Sequence, residues 1–305
     1  MLAASNAHHL FLTARSLCRR ALAARSRTPR AAFATARAAA AAAGGAGGRA
    51  MDAAAGAAPA ERGQPGEVPP ARNVHVQPGE ELDMDEYNDR WHKIWREGLQ
   101  PGQRFDAGRA SPLLQRLLSS GDAPAAGARV LVPGCGRGYD VIAAADAGAA
   151  LAVGLDISEA AVAAAEALRG GALAPGAAAR AQFESCDFFT YKHPGGLFDL
   201  GYDYTFLCAL PPQARGAWAA AWAAHLAAGG QLVTLIFPVD PEADPGAGPP
   251  FPVTPELYES LLLPTGFECI ELKRVPDALS HPQRAGREWL GRWRAPGPGA
   301  AASKF

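Results

Sequence analysis

The residues with the clearest chemical suggestion are Gly134, Gly136 and Gly138, in the run Val130-Leu-Val-Pro-Gly-Cys-Gly-Arg-Gly-Tyr-Asp140. An apolar stretch leads into these glycines and a helical pattern begins directly after them. Glycine serves where the backbone turns with positive φ or lets a ligand approach closely, although a plain glycine-rich turn has the same composition. Asp156 follows 18 residues after Gly138, in Val153-Gly-Leu-Asp-Ile157. In a doubly wound sheet, an acid at the end of the second strand accepts hydrogen bonds from ribose hydroxyls. Asp156 and Ile157 are therefore expected beside a nucleoside, with Ser158 placed to cap the next helix.

The glycine spacing bears on which nucleoside. Dinucleotide sites use G-x-G-x-x-G, whose helix N-terminus receives a pyrophosphate. Here the spacing is G-x-G-x-G. The tighter loop suits a ligand without phosphate, such as the methionine part of S-adenosylmethionine, and an NAD(P)-binding oxidoreductase remains as a distant alternative. Glu184-Ser-Cys-Asp-Phe-Phe189 adds an acid and two aromatics at the end of a third strand. There Asp187 can meet an adenine amino group while Phe188 lies along the ring; a surface turn is the plainer alternative.

The surrounding pattern supplies elements to position these residues. Apolar runs at 130–133, 151–155, 197–202 and 232–237 read as buried strands, and Ala-rich stretches at 139–148, 158–168 and 213–227 read as helices between them. Such alternation implies an α/β fold: a mostly parallel, Rossmann-like sheet with helices on both faces. A helix near 255–263, a strand near 267–273 and a last strand at 289–293 suggest a C-terminal antiparallel hairpin, giving seven strands in all. Upstream, Met84, Tyr87, Trp91 and Trp95 share one helical stripe. Asp83, Asp85 and Glu86 stand at its start and Gly98 at its stop, so order is expected from about Leu82.

The first fifty residues differ from the rest. They hold eight Arg and no acid, as organelle transit peptides do, which predicts a chloroplast or mitochondrial destination; an Ala/Arg tail on a cytoplasmic protein is the alternative. Residues 38–72 are mostly Ala, Gly and Pro with few large apolar groups, so 51–80 read as a disordered linker, leaving 81–305 as the enzymatic domain. The whole chain carries 29 basic and 30 acidic residues; without the eight N-terminal Arg, the balance is 21 against 30. An acidic body argues against nucleic acid or anionic membrane as partner. No apolar run approaches the ~18 residues of a spanning helix. Cys18, Cys135, Cys186, Cys208 and Cys269 show no metal-ligand spacing, so no metal is expected.

From Tyr87 to Arg294 the chain resembles the plant-type halide and thiol methyltransferases of the thiopurine S-methyltransferase superfamily. The resemblance rests on separated blocks: Trp91-His-Lys-Ile-Trp-Arg-Glu-Gly98; Phe105-Asp-Ala-Gly-Arg-Ala-Ser-Pro112; Leu131-Val-Pro-Gly-Cys-Gly136; Val153-Gly-Leu-Asp-Ile-Ser158; Phe198-Asp-Leu-Gly-Tyr-Asp-Tyr-Thr-Phe-Leu-Cys-Ala209; Gly248-Pro-Pro-Phe251; and Gly291-Arg-Trp293. It implies a class I methyltransferase sheet, S-adenosylmethionine as cofactor and a small anion or thiol as acceptor, methylated by direct displacement in a monomer. Larger or heterocyclic thiols are the alternative acceptors. By the same resemblance Trp91, Trp95 and Phe105 close over the cofactor. Gly134 and Asp156 hold its methionine and ribose, Asp187 and Phe188 its adenine, and Tyr204 lies near the methyl group as the candidate catalytic residue. The family often has Trp where this chain has Phe105. An acceptor that is already an anion needs no general base, and His92, the only histidine in these blocks, is expected on a solvated helix face. The Pro/Gly stretch 238–252 is long enough to border the acceptor entrance. Arg109 and Arg137 are left as surface or anion-orienting residues.

Overall fold

The computed structural model describes Val76 and residues 83–297. The transit-peptide expectation, Leu82 and all of the expected linker except Val76 lie outside the described residues; Val76 is buried and forms an antiparallel bridge with Gly248. The first helix, α1 (Met84–Arg96), starts where the sequence marks it. Asp83 caps it by accepting from the backbone N–H groups of Asp85 and Glu86. Helix α2 (Pro112–Ser120) was not anticipated, although its signals are in the sequence: Ser111 as cap, Pro112 in the first turn, Gly121 as left-handed stop, and Leu113, Leu114 and Leu117 on one buried face.

The sheet then builds in alternation. Strand β1 (Arg129–Pro133), helix α3 (Tyr139–Asp146), β2 (Leu151–Asp156) and α4 (Glu159–Ala172) are followed by the single turn α5 (Pro175–Ala178), β3 (Ala181–Ser185) and β4 (Phe198–Tyr204). Helix α6 (Arg215–His225) runs straight into β5 (Leu226–Ile236), and α7 (Pro255–Leu262), β6 (Glu268–Arg274) and β7 (Trp289–Arg294) complete the domain. The strands form one seven-stranded sheet of order β3-β2-β1-β4-β5-β7-β6. The first five are parallel, and β7 runs antiparallel between β5 and β6.

The last two strands pair as the expected antiparallel hairpin, joined by residues 275–288 with a 3₁₀ turn at Asp277–Leu279. Two details differ from expectation. Strand β5 begins at Leu226 rather than near 232, taking the end of the expected helix. Ser158 occupies the cap position of α4, yet its side chain makes no capping bond; Asp156 accepts from its N–H instead.

Apolar strand residues bury on both faces of the sheet, as parallel strands covered by helices require. Leu131, Val153, Leu155 and Leu232 pack with Trp218 and Trp222 of α6; Val130, Val132, Leu200 and Val233 face α2 and α3. Gly201 in β4 is needed for that packing, since a Cβ there would stand 2.4 Å from the Trp222 ring. In the strand order, β1 lies between β2 and β4, so connections leave it in opposite directions. The crevice outside the carboxyl ends of such strands is where open α/β sheets bind ligands.

Candidate active site

The loop after β1 reaches that edge with Gly134, Gly136 and Gly138 at φ 57°, 51° and 79°. All three lie in the left-handed region that disfavours side chains. The Gly136 N–H donates to Asp156 Oδ2 at 3.0 Å, and the Ser158 N–H donates to Oδ1 at 2.9 Å. Asp156 thus ties the loop to the end of β2. Burial raises its carboxyl to about 6, against the lowering effect of these two N–H groups. A carboxylate has about four acceptor positions, so Asp156 retains acceptor capacity beyond its two backbone partners. Ile157 follows it, half-buried, and its carbonyl accepts from the Ser185 hydroxyl. Gly138 turns inward: a Cβ there would sit 2.4 Å from the Phe183 ring, so this glycine supports the loop and does not face the crevice.

The aromatic trio expected over the loop is brought together. Phe105 meets Trp91 and Trp95 edge-on, with ring centroids 5.4 and 6.1 Å apart. Trp95 lies on the glycine loop, its ring 3.1 Å from where a Gly136 Cβ would be, and Phe206 covers Gly134 in the same manner. Arg137, unassigned from sequence, fastens this cover. It donates to Asp106 Oδ2 at 3.0 Å and to the Leu99 carbonyl at 2.6 Å, with its guanidinium 5.5 Å from the Trp95 ring. At the other end of α1, the Tyr87 hydroxyl donates to the Ala209 carbonyl just past β4. The stretch 238–252 contributes here. Phe251 is fully buried among Val76, Tyr87, Met84 and Trp91, and its N–H donates to the Cys208 carbonyl. Part of that stretch therefore seats α1. His92 on the same helix is half-buried.

Asp187 and Phe188 separate. Asp187 is exposed past the end of β3, and its carboxylate accepts from the Phe189 N–H. Phe188 is buried and enclosed by Phe206, Trp222 and His225, so its ring backs Phe206 rather than presenting a free face. This departs from the expectation of a ring lying open beside adenine. The cause is α6, whose Trp222 and His225 claim the ring.

Tyr204 ends β4 beside the loop of β1. Thr205 follows at φ 59°, a sparsely populated conformation for a β-branched residue. Asp203 holds this corner by accepting from the Trp218 and Trp222 indoles at 2.7 and 3.3 Å and from the Leu207 N–H at 3.3 Å. Burial raises its carboxyl to about 6, with the indoles opposing. The Tyr204 hydroxyl donates to Glu288 Oε1 at 2.5 Å. His281 stacks parallel to the Tyr204 ring, and the Arg284 guanidinium lies 4.9 Å from that ring and 5.0 Å from Phe237. Burial and the nearby Arg284 and Arg109 lower His281 to about 4, so it is neutral near pH 7. Sequence reading missed Asp203, His281, Arg284 and Glu288. The last three come from the irregular connection before β7, where no periodicity flags them.

A glycine loop tied to the carboxylate of the adjacent strand, on this strand order, defines a class I S-adenosylmethionine-dependent methyltransferase. The chain belongs to the thiopurine S-methyltransferase family, whose profile matches residues 86–292. It is 40% identical over 207 residues to thiocyanate methyltransferase 1 of Brassica oleracea, covering 67% of this chain and 84% of that protein. It is 41% identical over 204 residues to probable thiol methyltransferase 2 of Arabidopsis thaliana, covering 67% and 84%. Among solved structures, a Burkholderia thailandensis 1,6-didemethyltoxoflavin-N1-methyltransferase superposes with a TM-score of 0.53 at 18% identity, covering 72% of this chain and 94% of that one. That likeness concerns the fold.

Proposed function

We propose that this enzyme methylates thiocyanate, bisulfide, halides and small thiols. The observation that carries the reading is the polar and aromatic cluster of Tyr204, Phe237, His281 and Arg284 at the ends of β4 and β5, beside the glycine loop. It joins a cation to aromatic surfaces, which suits a soft anion. The names of the thiocyanate and thiol methyltransferase relatives support the same acceptor class.

The residues present fit the methyl donor. Asp156 offers a half-buried carboxylate with spare acceptor positions to a ribose diol, and Gly134 and Gly136 add no side chain of their own to the loop beside it. Asp187 stands at the end of the neighbouring strand for an adenine amino group. When bound, S-adenosylmethionine supplies a methyl group on a sulfonium, open to displacement by a nucleophile. The protein's part is alignment and exclusion of water: Trp91, Trp95 and Phe105 form the cover, and Tyr204 borders the acceptor. Orientation of this kind is worth up to ~7–11 kcal/mol. Because an anion and a cation cancel charge as they react, a dry site of low dielectric favours the step.

Headspace gas chromatography of the enzyme with S-adenosylmethionine and iodide, bromide, thiocyanate or bisulfide tests the reading. Volatile methyl products are expected. Turnover of larger aromatic thiols alone would move the assignment to that class, and tight NAD binding would remove the methyl donor. Residues 1–50 are read as a transit peptide, and a fluorescent fusion of residues 1–60 that stays cytoplasmic would refute this.

A further inference from the structure

Glu288 is 1% exposed, and among the described residues neither its Oε2 nor the nearby Ser280 hydroxyl has a partner within hydrogen-bond geometry. Its Oε1 accepts a hydrogen bond from the Tyr204 hydroxyl, with the two oxygens 2.5 Å apart, the short distance of a charge-assisted O–H···O⁻ bond. Tyr204 is the more exposed member, at 8%, and it stands at the end of β4 facing the cluster assigned above to the acceptor. Burying a carboxylate behind a site tyrosine carries a desolvation penalty. The acceptors proposed above fall into two groups. Thiocyanate and halides are permanent anions, whereas alkyl thiols arrive largely protonated at neutral pH and must lose a proton to become nucleophiles.

We propose that Tyr204 and Glu288 form a proton relay that ionises neutral thiol acceptors. The inference rests on the small-anion and thiol reading of the site. The thiol S–H bond breaks and its proton passes to Tyr204 Oη, while the original Tyr204 hydroxyl proton passes to Glu288 Oε1. The electron pair stays on the acceptor sulfur and forms the new carbon–sulfur bond. The old carbon–sulfonium bond breaks with its pair on the departing sulfur. The proton on Glu288 returns to water through Tyr204 after the thioether leaves. No phenolate is required, in keeping with burial that pushes the Tyr204 phenol well above its ordinary range.

The groups around the relay suit this role. Burial raises Glu288 above the usual carboxyl value, making it a better proton acceptor; Tyr204, Ser280, Arg284 and Arg287 oppose that rise. The charges of Glu288 and of Asp140 in α3 both act on the buried Tyr202 phenol of β4. The charge of Arg109, in the segment before α2, also acts on His281. His281, lowered to about 4, is the weaker base of the pair that flanks Tyr204.

The test compares an alkyl thiol with thiocyanate on the full enzyme. In Glu288→Gln, which keeps an acceptor for the tyrosine hydroxyl, the ratio of thiol to thiocyanate kcat/KM should fall about 100-fold, the usual size of a lost general base. A purely structural role would lower both acceptors alike and leave the ratio intact, which would overturn the relay. The wild-type pH profile gives a second reading that needs no variant. With the relay, kcat/KM for the thiol is flat between the Glu288 pKa and the thiol's own pKa. A tenfold rise per pH unit across that interval means that free thiolate alone reacts, and the relay is then wrong. If the wild type methylates neither acceptor, the fault lies in the proposed function and not in the relay.

Discussion

Arg284 donates a 2.7 Å hydrogen bond to the backbone carbonyl of Phe105, 179 positions earlier in the chain. Its guanidinium also faces the rings of Tyr204 and Phe237. One side chain thereby couples the aromatic cover to the acceptor side of the crevice. Arg284→Met keeps most of the stem but loses the charge and the bond. A charge-assisted hydrogen bond contributes about 1.5–3 kcal/mol, so kcat/KM for thiocyanate should fall roughly 10- to 100-fold. Steady-state kinetics that match wild type would show that Arg284 serves neither cover nor acceptor.

Asp156→Ala removes a charged acceptor and frees the Gly136 N–H. Affinity for S-adenosylhomocysteine should weaken by about 1.5–3 kcal/mol in titration calorimetry. The wild-type carboxyl lies at about 6. Below that pH it is protonated and accepts fewer bonds, so affinity should decline as pH falls from 7 to 5. A folded variant with an unchanged dissociation constant would take Asp156 out of the ribose site.

The pair Arg137–Asp106 has side chains 14% and 2% exposed. Asp106 also accepts from the N–H groups of Gly102 and Gly108. Arg137→Ala leaves that carboxylate without its cation, and breaking such a pair costs about 3–5 kcal/mol. Chemical denaturation should show a loss of this order, with faster release of S-adenosylhomocysteine in stopped flow because the cover is loosened. A loss under half a kcal/mol would mean that the strap is ornamental.

Burial raises Asp140, Asp156 and Asp203 to about 6 from an unfolded value of 3.8. Between those values the folded chain binds more protons than the unfolded chain, so these groups make stability fall as pH rises through the window. Asp203→Asn removes one of the three titrating groups. The slope of unfolding free energy against pH between 4 and 6 should become less negative than in wild type. An identical slope would place the Asp203 carboxyl near its ordinary value. The variant should also be less stable, since an amide offers one acceptor oxygen to two indoles and the Leu207 N–H.

The strands, the glycine loop and the acid of β2 were legible because each depends on local chemistry. Apolar runs bounded by glycine specify buried strands whatever packs on them, and residues 134, 136 and 138 all take the positive φ that glycine adopts without steric cost. The stripe of Tyr87, Trp91 and Trp95 was legible for the same reason, as helical periodicity. Helix α2 had its cap, proline and stop in plain view, with Leu113 and Leu114 repeated four residues on as Leu117 and Leu118, and was still passed over.

What the linear order could not reveal was which side chains from distant segments meet. Phe188 has an aromatic's ordinary claim to a ligand, yet α6 encloses it. Arg137 gave no sign of a partner until Asp106 and Leu99 folded over it. His281, Arg284 and Glu288 lie in a connection without period or motif. They reach Tyr204 only because β7 inserts next to β5 and draws that connection to the carboxyl edge. Sequence alone set the backbone of the cofactor loop, since φ preference belongs to single residues. The acceptor side was decided by strand order, since a contact between two side chains belongs to neither of them.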